Sequence, residues 1–290
     1  MSEGFTLKET IEILQKYQIK LNKGLGQNFL IDKNILAKIV NSAELSAGDR
    51  VLEIGPGIGT LTRELAARAG KVEAVEIDSR LVPVLQETTS TFSNVRIINQ
   101  DILKSDLRKL WEDYFAPNRI KVVANLPYYV TSPIIMKLLE EDIPLKMIVV
   151  MVQKEVAQRM TAVPGTKDYG ALTVAVQFYS EPQIIATVPP AVFMPPPKVS
   201  SAIVRLNIDR EHRYKVMDKG LMFSLVKAAF GQRRKALVNA LRGVAGMSAK
   251  EDVREALKRS GIDPRRRGET LSIEEFCRLA DSIKMADKIR

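Results

Sequence analysis

Between residues 50 and 152 the chain alternates short β-branched apolar runs with stretches of helical pattern. The runs are RVLEI (50–54), KVEAVEI (71–77), NVRII (94–98), KVVAN (121–125) and LKMIVVMV (145–152). Residues 60–69, 79–87 and 132–140 lie between them and read as helices. That alternation indicates βαβ units and a mostly parallel sheet covered on both faces. Two further runs, QIIATV (183–188) and SAIVRLNI (201–208), bracket the loop PPAVFMPPPKV and suit an antiparallel pair at the sheet edge. Residues 171–179, ALTVAVQFY, are apolar nearly throughout, so periodicity leaves helix and strand open, with a lean to helix.

Outside this region the pattern is helical. Residues 6–18 form a short amphipathic helix with Ile11, Leu14 and Tyr17 on one side. Beyond about residue 210, helices are expected near 217–230, 233–243, 249–259 and 272–284, the last opened by a Ser272/Glu275 capping box. The expected architecture is an α/β catalytic domain over 1–209 and a small α-helical domain over 210–290.

Charge sharpens that division. Residues 1–204 carry 23 Lys+Arg against 22 Asp+Glu, and residues 205–290 carry 21 against 12. Nearly the whole formal net charge of +10 therefore sits in the last third. A basic helical domain beside a near-neutral one suits a polyanion binder, although charge alone does not name the polyanion and also suits a solvated surface. No run approaches the roughly 18 uninterrupted apolar residues of a membrane span. The N-terminus has no apolar signal-peptide core, and Cys277 is the sole cysteine, so a soluble cytoplasmic protein is expected. The only histidine, His212, and Cys277 read as structural positions rather than catalytic ones, and no metal site is expected.

Candidate chemistry lies where the strands end. VLEI runs into Gly55-Pro56-Gly57-Ile58-Gly59, whose glycines let the backbone turn and let a ligand approach without meeting a Cβ. Such a loop also fits nicotinamide cofactors, but a dinucleotide fingerprint would place its third glycine at Thr60. Glu76, ending the second strand, suits the ribose hydroxyls of an adenosine-bearing cofactor. At the end of the third strand, Asp101 suits an adenine amino group, with Ile102 against the ring. The fourth strand ends in Asn125-Leu126-Pro127-Tyr128.

With these and the segments LGQNFLID (25–32), FMPPPKVSSAIVRL (193–206), FGQRRKAL (230–237) and GETLSIEEF (268–276), the sequence resembles the KsgA/RsmA family of 16S ribosomal RNA dimethyladenosine transferases over nearly its whole length. The related Erm enzymes, which modify 23S RNA, are the nearest alternative. The resemblance implies a Rossmann-like class I methyltransferase with a seven-stranded sheet, S-adenosylmethionine as cofactor, and N6,N6-dimethylation of two adjacent adenosines. The implied partner is 16S rRNA in a precursor of the small ribosomal subunit, with the enzyme acting as a monomer away from membranes. It also implies that Asn28, Leu30, Ile77 and Asn125 touch the cofactor and that Phe193 sandwiches the target base opposite Tyr128. Arg233, Arg234 and Lys235 are implied to touch RNA phosphates.

The physics of the NLPY segment stands beside the resemblance. Adenine N6 is a weak nucleophile because its lone pair is delocalised into the ring. The Asn125 side-chain oxygen and the Leu126 carbonyl supply two acceptors for its hydrogens, Pro127 stiffens the turn, and the Tyr128 ring offers a stacking face. An RNA-binding assembly factor with a dispensable site is the alternative of another class.

Overall fold

The computed structural model describes residues 4–21, 24, 26–141, 143–208 and 214–287. Its internal contacts divide the chain into two compact units, residues 1–157 with 181–208, and residues 158–180 with 209–290. His212 lies outside the described residues.

The first unit opens with α1 (Leu7–Lys16), β1 (Phe29–Leu30) and α2 (Lys33–Ser42). Five strand–helix pairs follow: β2 (Arg50–Ile54) and α3 (Thr60–Ala66), β3 (Lys71–Glu76) and α4 (Val82–Thr88), β4 (Val95–Asn99) and α5 (Leu107–Tyr114), β5 (Ile120–Asn125) and α6 (Thr131–Glu140), β6 (Leu145–Gln153) and α7 (Lys154–Met160). After α8 (Ala171–Tyr179) the chain returns with β7 (Ser180–Val188), β8 (Phe193–Met194) and β9 (Ser201–Ile208).

Seven strands form one sheet in the order β4-β3-β2-β5-β6-β9-β7. The first five run parallel, and β9 pairs antiparallel with β6. Strand order reverses between β2 and β5, the switch point where open α/β sheets hold ligands beyond their carboxyl ends. The β2 and β5 interiors are buried because helices cover both faces, which is why these runs read as continuously apolar. The two-residue strands β1 and β8 form a separate antiparallel ladder, Phe29 opposite Met194 and Leu30 opposite Phe193.

Three helices escape the sequence pattern: α2, α5 and α7. Asp32 caps α2 by accepting from the N–H groups of Asn34 and Ile35, and Ile35, Leu36, Ile39 and Val40 form its buried face. In α1 the expected stripe is corrected. Thr10 and Leu14 are buried and Ile13 and Tyr17 pack beside Leu14, whereas Ile11 is 38% exposed; Lys16 and Tyr17 both bond to Glu87 of α4.

The second unit holds α8, α9 (Lys219–Gly231), α10 (Leu237–Ala240), α11 (Lys250–Arg259) and α12 (Ile273–Asp287). The chain passes between the units at 208/209, beside the expected boundary, and residues 158–180 join the second unit as well. Val174 and Phe178 of α8 are buried with Leu225, Leu257 and Phe276, so residues 158–180 leave the first unit to complete this core. A helix apolar on nearly every side needs such surroundings. The Tyr169 hydroxyl donates to the Leu271 carbonyl from a fully buried position. The α12 capping box is present: the Ser272 N–H donates to Glu275 and the Glu275 N–H to the Ser272 hydroxyl.

Candidate active site

The carboxyl ends of β2, β3 and β5 meet the segment 26–30 around one cavity. Its walls include Glu53, Gly55, Gly57, Glu76, Asn125 and Tyr128. Each wall has a local cause. Gly55 and Gly57 have φ of +69° and +63°, in the left-handed region that side chains disfavour. A Cβ on Gly57 would also lie 3.0 Å from the Phe29 ring, so glycine is what lets β1 close against the loop. The Gly57 N–H then donates to Glu76 at 3.1 Å, and the Asp78 N–H donates to the other Glu76 oxygen at 2.8 Å. Glu76 is 4% exposed, and burial holds its carboxyl above the usual range against the pull of these two N–H groups.

Segment 26–30 is held from several sides. The Asn125 amide donates to the Asn28 carbonyl at 3.2 Å, and the Asn28 amide donates to the Gly26 carbonyl at 2.9 Å. The Gln27 amide donates to Asp78 at 2.9 Å, while Arg80 binds the same carboxylate and holds it below the ordinary aspartate range. Leu30, 5% exposed, pairs with Phe193 from the far side.

At the end of β5, each part of Asn125-Leu126-Pro127-Tyr128 has a fixed orientation. With its nitrogen bound to Asn28, the Asn125 side chain keeps Oδ1 free. Among the described residues no hydrogen bond ends on that oxygen or on the Leu126 carbonyl. Leu126 is itself buried, its N–H donating to the Met151 carbonyl at 3.2 Å. The Pro127 carbonyl accepts from the Val130 N–H and the Thr131 hydroxyl, locking the turn into α6. The Tyr128 hydroxyl pairs with Ser201 at the start of β9, and burial pushes its phenol pKa up. Tyr128 therefore stays neutral and presents its ring rather than a base.

Several expected residues stand elsewhere. Asp101 is not among the cavity walls. Its carboxylate caps its own turn, accepting from the Leu103 N–H at 3.0 Å, and Ile102 is buried behind it. Ile77 does line the cavity and is 49% exposed. Phe193 is 2% exposed and packed with Leu30, Ile35 and Leu36, so it buttresses the wall and has no open face to stack on a base. In the second unit, Arg233 is bound to Glu269 and to the carbonyls of Thr166 and Lys167. Arg234 and Lys235 are exposed.

Sequence reasoning missed Glu53, Gln27 and Tyr129. Glu53 had a visible signal, an acid inside an otherwise apolar strand. Its carboxyl is 1% exposed, nothing among the described residues hydrogen-bonds Oε2, and burial pushes its pKa up to about 8, with Glu76 adding repulsion. A buried acid on a cavity wall, with one oxygen unpartnered, suits a cationic ligand, whose charge would favour its ionised form. With an acceptor at Glu76 and glycines at the loop, the site fits a cofactor with a ribose at one end and positive charge at the other.

A family model described as ribosomal RNA adenine dimethylase matches residues 18–285. A curated relative from Alkaliphilus oremlandii, named ribosomal RNA small subunit methyltransferase A, is 56% identical, covering 95% of this chain and 96% of its own. One of the same name from Clostridioides difficile is 53% identical over 94% of both chains. Among solved structures, a dimethyladenosine transferase from Plasmodium falciparum superposes with a TM-score of 0.74 at 27% identity, covering 87% of this chain and 95% of that one. The 23S rRNA methyltransferase ErmE superposes with a TM-score of 0.66 at 31% identity, covering 89% and 100%. Among the described residues no helix is long and apolar enough to cross a membrane.

Proposed function

The chain belongs to the ribosomal RNA adenine dimethylase family, and from that premise we propose that it dimethylates the N6 amines of two adjacent adenosines in the hairpin near the 3′ end of 16S rRNA. The observation that carries the proposal is the state of the NLPY turn, where Asn125 Oδ1 and the Leu126 carbonyl are both left free beside one cavity.

S-adenosylmethionine supplies an electrophilic methyl group on its sulfonium. Glu76 and Ile77 would receive its ribose side, Gly55 and Gly57 its approach to the loop, and Asn28, Leu30 and Asn125 its cover. Glu53 would face its positive end, and Asp101 and Ile102 would receive the adenine. Toward the substrate, Asn125 Oδ1 and the Leu126 carbonyl accept the two N6 hydrogens and draw the nitrogen lone pair out of conjugation. The Tyr128 ring stacks on the extruded adenine, for about 1–3 kcal/mol. Positioning of this kind supplies on the order of 7–11 kcal/mol in favourable cases. No strong base is needed, because the methylated nitrogen is acidic and loses its proton to water.

The substrate is rRNA in a precursor of the small subunit, met in the cytoplasm by a monomeric enzyme. Arg234 and Lys235 are the exposed members of the basic run and meet its phosphates. Small-subunit specificity rests on relatives above 50% identity, against 31% for the large-subunit enzyme. Mass spectrometry of rRNA from cells with and without the gene is the direct test. Loss of two neighbouring dimethyladenosines in 16S rRNA is expected. Unchanged 16S rRNA with a missing 23S modification would overturn the assignment.

A further inference from the structure

Tyr129 follows the NLPY turn and is the only aromatic side chain among the large exposed apolar residues described, at 55% exposure. It lines the same cavity as Asn125 and Tyr128. One ring edge rests on Gly26, where a Cβ would lie 3.4 Å from Cδ1. Its hydroxyl bonds to none of the described residues, in contrast to that of Tyr128.

The backbone fixes where this ring points. Residues Tyr128–Val130 form a single 3₁₀ turn, held by the Pro127 carbonyl and continued directly by α6. In a 3₁₀ turn successive side chains diverge by about 120°. Tyr128 is half-buried and tied to Ser201, so Tyr129 is directed away from it and outward at the cavity mouth. An exposed tyrosine without a hydroxyl partner, on a rigid turn beside the reacting site, lacks a packing explanation.

The substrate chemistry supplies one, resting on the functional reading above. Extruding one adenine toward Tyr128 leaves the neighbouring base without its stacking partner. Phe193, the aromatic expected to help, is buried. We propose that Tyr129 is a second stacking platform, which holds the nucleotide next to the target adenosine while that adenosine is methylated.

The test is a substitution series, Tyr129→Phe, Tyr129→Trp, Tyr129→Leu and Tyr129→Ala, in the full chain. Methylation kinetics are measured on small-subunit precursor particles, with affinity for S-adenosylhomocysteine measured separately by calorimetry. The Phe and Trp variants are expected to match the wild type, because the hydroxyl is unused and the ring is what acts. The Leu and Ala variants are expected to raise KM for the particle about 5- to 150-fold, the range of one base–aromatic stack, with S-adenosylhomocysteine affinity unchanged. A Leu variant equal to Phe would reduce Tyr129 to an apolar filler and overturn the proposal, as would unaltered KM in Tyr129→Ala. Wild-type protein that leaves the particle unmethylated would instead overturn the functional reading on which the proposal rests.

Discussion

Replacing Glu53 by glutamine isolates the cost of keeping an acid beneath the glycine loop. The Glu53 carboxyl is 1% exposed and its pKa is raised from 4.5 to about 8, chiefly by burial, with Glu76 adding repulsion and the Thr62 hydroxyl offsetting part of it. Below pH 4.5 the group is protonated in both folded and unfolded chains. Between 4.5 and 8 the unfolded chain gives up its proton while the folded chain keeps it, so this group's contribution to stability falls as pH rises. Above 8 the loss is complete. At about 1.4 kcal/mol per pH unit the full loss is on the order of 5 kcal/mol, and at pH 7 about 3 kcal/mol. Glutamine has nearly the same shape and does not titrate. Denaturant unfolding of wild type and Glu53→Gln at pH 5, 6, 7 and 8 should give stabilities that diverge steadily, the variant gaining on the wild type. The buried carboxyl of Glu73 titrates in both proteins and largely cancels in the difference, while removing the repulsion between Glu53 and Glu76 adds to the variant's gain. Parallel stability curves across that range would show that Glu53 ionises normally and would refute the argument.

Tyr128→Phe should lose only the Ser201 contact and keep most methylation, whereas Tyr128→Ala should lower methylation far more than affinity for S-adenosylhomocysteine; equal losses in both would reject the stacking role. Phe193→Ala should cost about 3–5 kcal/mol in denaturant unfolding and weaken cofactor binding through Leu30, while a loss confined to RNA methylation would restore a direct role on the base. Neutralising Arg234 and Lys235 together should reduce the slope of log affinity against log salt for RNA by about 2. Arg233→Ala should instead lower the melting temperature of the second unit, and a changed salt slope with unchanged melting would reverse that assignment.

The sheet was legible in the sequence because burial on both faces writes each parallel strand as an unbroken apolar run, and SAIVRLNI matches β9 residue for residue. The helix α5 was less legible, since only Leu107 and Leu110 of its eight residues are buried. The cavity wall was legible where it follows a strand end, as with Gly55, Glu76 and Asn125. The surroundings of Phe193 and Asp101 were not legible for one shared reason: local sequence shows that an aromatic or an acid is present, not which partner has already engaged it. Phe193 is engaged by Leu30, far away along the chain, and Asp101 by the next turn. Arg233 is the same case, because Glu269 and two carbonyls absorb a guanidinium that reads as free for phosphate.

The two halves of the active site are mechanically one piece. Asn125 holds the Asn28 carbonyl with its nitrogen, and only because that nitrogen is engaged does its oxygen point free for a substrate amine. The segment carrying Asn28 is itself fixed by Gln27 on Asp78 and by the β1–β8 ladder, and Asp78 donates its N–H to Glu76. A chain of short contacts thus runs from the acid suited to ribose, through the segment covering the cavity, to the amide suited to adenine N6. Loosening any link would blur both the cavity wall and the direction of the Asn125 oxygen. On the proposed function, the direction of the acceptor offered to N6 would therefore be set by the same contacts that hold the cavity walls together.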